Sequence, residues 1–198
     1  VYVVIAALLS LLVLTLTTTS FVVPFLFLSS IGVAIVYNMG TNVFLGQISY
    51  ITQALVAVLQ LGVTMDYSIF LLHSYETARL TIEDRNEAMG EAISQTFTSV
   101  IGSSTTTIAG FAALIFMTFA LGRDLGVVMI KGVLIGVICC TTFLPAMVLP
   151  FEKAIEKTRQ RSFIPDLDRL SGFIIRRPAI WIALFLILIV PAYRGNNA

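Results

Sequence analysis

The sequence is poor in charge. Of its 198 residues, 12 are Lys or Arg and 11 are Asp or Glu, so charged side chains make up 12% of the chain. That is about half of the roughly 25% expected of a soluble domain. No charge precedes Asp66. Residues 76–91 then carry seven charges and residues 152–177 carry eleven, which leaves Asp66, Arg123, Asp124, Lys131 and Arg194 as strays. A soluble enzyme needs charge over its whole surface, and that class is excluded. A net charge of +1 supplies no basic field to neutralise phosphates, so nucleic acid is excluded as a partner. Only two cysteines and one histidine are present. Cys139 and Cys140 are neighbours in an apolar run, where adjacent helical positions diverge by about 100° and disfavour a disulfide. They read as core thiols. Neither they nor His73 shows metal-ligand spacing, and no GxxxxGK[ST] loop marks a nucleotide site. No metal and no cofactor is implied.

Apolar residues fill the remainder, at 58% of the chain. They form runs at about 1–16, 21–38, 50–73, 97–121, 125–150 and 178–193. A helix needs roughly 20 residues to cross hydrocarbon, so the chain reads as an all-α polytopic membrane bundle of about six spans. It opens on Val1 inside an apolar run and stops soon after another, so it reads as a piece of a longer protein. The expected division is a bundle of five spans over 1–150, an amphipathic linker over 151–177, and the start of a further span over 178–198. Nine Lys or Arg residues lie in loops 74–96 and 151–177, against Arg123 alone in the opposite loops. That bias places the charged loops in the cytoplasm. Thr81 and Asp84 outline a capping box. Ile82, Met89, Ile93 and Phe97 follow at near-helical spacing, so 81–95 reads as a separate amphipathic helix at the membrane interface. Pro145 and Pro150 are expected to bend or end the span over 125–150.

Two of the stray charges lie inside spans. A carboxylate such as Asp66 costs about 2.5–3.5 kcal/mol at the centre of a spanning helix. An acid retained there reads as a titratable site facing the bundle interior, whose charge switches between 0 and −1 and biases two packings of the helices. The structural alternative is a carboxyl bonded to a neighbouring helix. Tyr67 adjoins it and can exchange hydrogen bonds. His73, seven residues on and nearly on the same face, reads as a proton relay or as an interfacial cap. Lys131 lies about 10 Å into its span. It can snorkel outward, or meet Asp66 where their depths match. Thr98 and the run Ser103, Ser104, Thr105, Thr106 and Thr107 form a hydroxyl seam that bonds back to its own helix, lines a polar path beside Asp66, or does both. Gly62, Gly102, Gly126, Gly132 and Gly136 read as points of close helix approach.

The stretch Gly62-Val63-Thr64-Met65-Asp66-Tyr67-Ser68-Ile69-Phe70-Leu71 resembles the GxxxDYxxFL signature in the fourth transmembrane helix of MMPL-type transporters, within the resistance–nodulation–division (RND) superfamily. The downstream order is similar too. Ala88 to Ala92 correspond to the reentry helix, and Thr105-Thr106-Thr107-Ile108-Ala109-Gly110-Phe111 to the threonine-rich fifth helix. Leu125-Gly126 and Leu144-Pro145-Ala146 correspond to the two ends of the sixth. The resemblance runs from residue 1 to about 195, as helices two to seven. It implies part of a proton-driven exporter of lipids or other hydrophobic molecules, in a bacterial plasma membrane. Such exporters have two similar halves and extracellular porter domains. Asp66 and Tyr67 would then form one half of the proton relay, paired with an equivalent in the missing second half. Sterol-sensing domains share the same helical plan and supply the alternative, a lipid-sensing or lipid-conducting module without export.

Overall fold

A computed structural model gives the architecture of residues 2–46 and 48–159, with 177–178, 181–183, 186–187 and 189 also described. Residues 1–161 form one compact unit and residues 162–198 a second. In the second unit the described positions from 178 onward are helical. Most of the expected linker beyond residue 159, and most of the expected last span, lie outside the described residues.

The first unit is built of helices: α1 (Tyr2–Thr17), α2 (Val22–Gly40), α3 (Tyr50–Ala78), α4 (Arg85–Ile115), α5 (Ala120–Thr141) and α6 (Phe143–Lys157), with a 3-10 segment Thr41–Leu45 after α2. Among the described residues four stretches are long and apolar enough to span a membrane: Val22–Leu45, Tyr50–Ala78, Arg85–Ile115 and Ala120–Lys157. A shorter apolar helix covers Val3–Thr17. The chain is an integral membrane protein of all-α class.

Local chemistry sets the boundaries. Ser49 caps α3 by accepting the Ile51 N–H, and Asp84 caps α4 by accepting those of Asn86 and Glu87. The cap is therefore Asp84 rather than Thr81, whose hydroxyl donates to Ala78 O in the turn that closes α3. The interfacial helix expected over 81–95 is not a separate element either. Helix α4 begins at Arg85 and continues unbroken to Ile115, because no proline interrupts it and helix formation propagates through the charged first turns. At 31 residues it is about 46 Å long, so its charged end projects beyond a roughly 30 Å hydrocarbon layer. The span expected to reach residue 121 ends instead at Ile115, and α5 starts at Ala120. The span expected over 125–150 is broken at Thr142, between α5 and α6. Pro145 lacks the N–H that would reach Thr141 O, and its ring crowds that carbonyl.

Two ends result. One gathers the end of α1, the α3–α4 turn and the end of α6, joined by Thr19 Oγ1 donating to Glu76 Oε1 at 3.2 Å and by Ser20 Oγ to Thr158 Oγ1 at 2.7 Å. The opposite end holds the segment after α2 and the α4–α5 turn. The larger core joins Leu14, Phe27, Leu71, Val100, Cys140 and Leu144 from all six helices. A smaller one packs Val56 against Val128 and Met129 nearer the opposite end. Both cysteines are free and buried.

Candidate functional site

Helix periodicity divides α3 into two faces. Gln60, Thr64, Tyr67, Ser68 and Leu71 are buried against neighbouring helices, whereas Gly62, Asp66, Ile69, Phe70 and His73 are exposed. Asp66 thus faces away from the bundle formed by this chain, not into its interior as the sequence suggested. The core face is claimed by the residues before and after it, and a single residue step rotates a side chain by about 100°. Among the described residues no hydrogen bond or ion pair reaches the Asp66 carboxylate.

Tyr67 points the other way and is only 3% exposed. Its hydroxyl lies 3.1 Å from Ser104 Oγ on α4, and Ser104 also bonds to Val100 O in its own helix. The single Ser104 proton serves one of these partners at a time, so Tyr67 supplies the other proton when Ser104 donates to Val100. This is the link by which the hydroxyl seam of α4 touches the helix that carries Asp66. The remainder of the seam turns back on itself. Ser103 donates to Val100 O at 3.2 Å, Thr105 to Ile101 O at 2.8 Å, and Thr106 and Thr107 to Ser103 O at 2.8 and 2.9 Å. Ser103, Thr105 and Thr106 nevertheless lie on the exposed side of α4, so the uncovered surface of this helix is rich in hydroxyl and glycine residues.

Lys131 does not join Asp66. Its ammonium donates to Asn38 O at 2.8 Å and to Asn42 Oδ1, where α2 ends and the 3-10 segment begins. It caps the carbonyl end of α2, where the helix dipole favours a cation. Around it lies a buried amide network that the sequence reading missed. Asn38 Nδ2 donates to Gln60 Oε1 at 2.7 Å, and Gln60 Nε2 donates to Gly132 O at 3.2 Å. Both amide side chains are completely buried. Gln60 precedes Asp66 by six residues, about 9 Å along α3, which separates this network from the acid in depth. Three carboxamides inside apolar runs were the available signal, since a buried polar group is costly unless satisfied.

The glycines divide in the same way. A Cβ on Gly132 would stand 2.5 Å from Asn38 Nδ2, one on Gly126 would stand 2.7 Å from Phe111 O, and one on Gly136 would collide with Thr64 Cγ2. At these three positions α5 approaches its neighbours closely. Gly62 and Gly102, expected to do the same, have nothing within 4 Å of a Cβ. Both lie on the exposed faces of α3 and α4, where no other described helix of the first unit reaches them.

His73 is exposed and borders a cavity of about 220 Å³ with Thr17, Thr18, Thr19, Ile69 and Glu76. The adjoining cavity of about 260 Å³ shares Thr19, Leu72 and Glu76, and adds Arg79, Glu152 and Glu156. There Glu152 accepts from Tyr75 OH at 2.7 Å and from Arg79 Nε at 3.0 Å, the one salt bridge among the described residues.

Comparison with known proteins adds a lineage to this geometry. The sequence model of the MMPL family matches residues 1–181. The chain is 28% identical over 166 residues to the putative membrane protein ActII-3 of Streptomyces coelicolor, covering 80% of this chain and 23% of that protein. It is 30% identical over 112 residues to the putative membrane protein MJ1562 of Methanocaldococcus jannaschii, covering 57% of this chain and 27% of that protein. It is 29% identical over 167 residues to the siderophore exporter MmpL5 of Mycobacterium tuberculosis, covering 80% and 17% respectively. The chain therefore spans about a quarter or less of the length of these relatives. No solved structure matches it.

Proposed function

The chain belongs to the MMPL family, and we propose that it is the proton-responsive membrane part of an RND-type secondary exporter of lipids or other hydrophobic molecules. The observation that carries this reading is the position of Asp66. A carboxylate in an apolar helix is expensive, and here, among the described residues of the first unit, it sits unpaired on a face that no other helix covers. An equivalent second half of the same transporter is the partner that would close over that face. The exposed glycines and hydroxyls on α3 and α4 suit it, because small residues let helix backbones approach closely in a membrane.

The mechanism follows from charge. Protonation of Asp66 removes a charge from the interface between the halves, and deprotonation restores it. Each state favours a different separation or rotation of the helices there, and about 2.3 kcal/mol per proton per 100 mV of membrane potential is on hand to drive the cycle. Tyr67 belongs to the same relay but acts at right angles to Asp66. Its bond to Ser104 passes a shift of α3 on to α4. Lys131 is engaged at the end of α2, so among the described residues no fixed cation neutralises Asp66. Export as the direction of transport is supported by the relative named as a siderophore exporter, and membrane lipid is the medium from which a hydrophobic cargo is drawn.

The test is Asp66→Asn in the full-length protein. Transport is expected to be lost with expression and membrane insertion intact, and wild-type transport is expected to stop when the proton gradient is dissipated. Undiminished, gradient-dependent export by the variant overturns the role of Asp66. A lipid-sensing module of the sterol-sensing kind would instead keep lipid binding in both variant and wild type, with no dependence on the gradient.

A further inference from the structure

We propose that His73, with Glu76 beside it, is the proton outlet of Asp66 toward the end of the bundle that carries the charged loops. The inference rests on the proton-coupled reading above and names the route by which the proton leaves. Three features of the structure carry it. His73 follows Asp66 by seven residues, which is 20° short of two full turns and about 10 Å along the axis. The two side chains therefore share the exposed face of α3, one above the other. His73 opens into a cavity of about 220 Å³, which has room for several water molecules at about 30 Å³ each. The cavity wall contributes hydroxyls from Thr17, Thr18 and Thr19 at the end of α1, and Glu76 one turn below on α3.

Imidazole is suited to this step because its two nitrogens let it take a proton on one side and release one on the other. Each proton accepted through water from Asp66 is matched by one released to water or to the Glu76 carboxylate, so the ring returns to its neutral form. Among the described residues the only charged group lining the cavity with His73 is Glu76; α1 and the residues after it present hydroxyls and α2 presents Phe27. Glu76 also borders the adjoining cavity, where Glu152 and Glu156 provide further carboxylates and Arg79 is engaged by Glu152. Protons arriving at Glu76 therefore meet a row of carboxylates at the surface.

Proton flux is measured with the full-length transporter in proteoliposomes under an imposed pH gradient, for wild type, Asp66→Asn, His73→Gln and Glu76→Gln. His73→Gln is expected to slow flux by at least about tenfold, in line with the loss of a positioned proton-transfer group. Free imidazole on the receiving side is expected to restore much of it. Glu76→Gln is expected to slow flux less, since the adjoining carboxylates remain. Wild-type flux in His73→Gln, or a loss that imidazole does not relieve, overturns the inference while Asp66→Asn stays inactive. Full flux in Asp66→Asn instead overturns proton coupling at Asp66 itself, so the two failures are distinguishable.

Discussion

The tightest geometry falls on residues with no chemistry of their own. Gly132 lets the buried amides of Asn38 and Gln60 reach α5, and a methyl there would meet Asn38 Nδ2 at 2.5 Å and Gln60 Oε1 at 3.0 Å. Gly132→Ala must push these side chains apart, and it is expected to destabilise the protein by about 1–3 kcal/mol, as overpacking does. Gly90 is the control. It sits on an exposed face of α4 with nothing within 4 Å of a Cβ, so alanine there gains up to about 1 kcal/mol from helix propensity. Thermal unfolding in detergent checks both, and equal stability of the two variants removes the packing role from Gly132. The same network marks a limit of the sequence reading. Lys131 stood out as a charge in an apolar run, but its partners are a backbone carbonyl and an uncharged amide, which carry no charge pattern to find. Asp66 was found by the same rule and placed on the right helix. Its outward orientation was missed because the expectation of an inward-facing acid belongs to a complete bundle.

Among the helices, α4 diverged most from expectation. Its charged beginning and apolar continuation look in sequence like two elements at an angle, an interfacial helix and then a span. The distinction depends on a backbone break, and nothing between Arg85 and Ile115 supplies one. Its start depends on Asp84, whose Oδ1 accepts from Asn86 N at 2.7 Å and from Glu87 N at 3.0 Å. The backbone bonds to Glu87 and Asn86 hold the Asp84 carboxyl below its ordinary 3.8. A carboxyl whose folded value is depressed contributes stability that is fully present above its unfolded value and is lost as pH falls through the folded one. The first turn of α4 is therefore expected to fray as pH drops below the ordinary aspartate range, with hydrogen exchange at Asn86 and Glu87 rising beyond the intrinsic trend. Asp84→Asn keeps a capping oxygen but has no proton to gain, so its protection should lose that acid step. A step of equal size in the variant would assign the titration to another group. By contrast α3 and the start of α2 were legible nearly to their ends, because long apolar runs at helical period need no cap to be recognised.

At the scale of the whole molecule the charge map becomes a statement about sides. The α3–α4 turn and the end of α6 lie together at one end, and the segments rich in Lys and Arg are theirs. Among the described residues the opposite end carries little charge beyond Arg123 and Asp124 near the start of α5. On the proposed reading the excess of basic residues would place the first end in the cytoplasm, and the proton outlet at His73 would then open inward. Two exposed side chains report on this directly. Phe44, beyond α2, is 85% exposed, and Leu80, after α3, is 84% exposed, whereas the native Cys139 and Cys140 are 8% and 2% exposed. Background labelling of the native thiols is accordingly low. In intact cells a membrane-impermeant maleimide is expected to label Phe44→Cys and to spare Leu80→Cys, and in inverted vesicles the pattern is expected to reverse. Labelling of Leu80→Cys from outside would turn the bundle over. Protons released at His73 would then emerge on the wrong face for an inward gradient to drive export, and orientation and proton route would fail together.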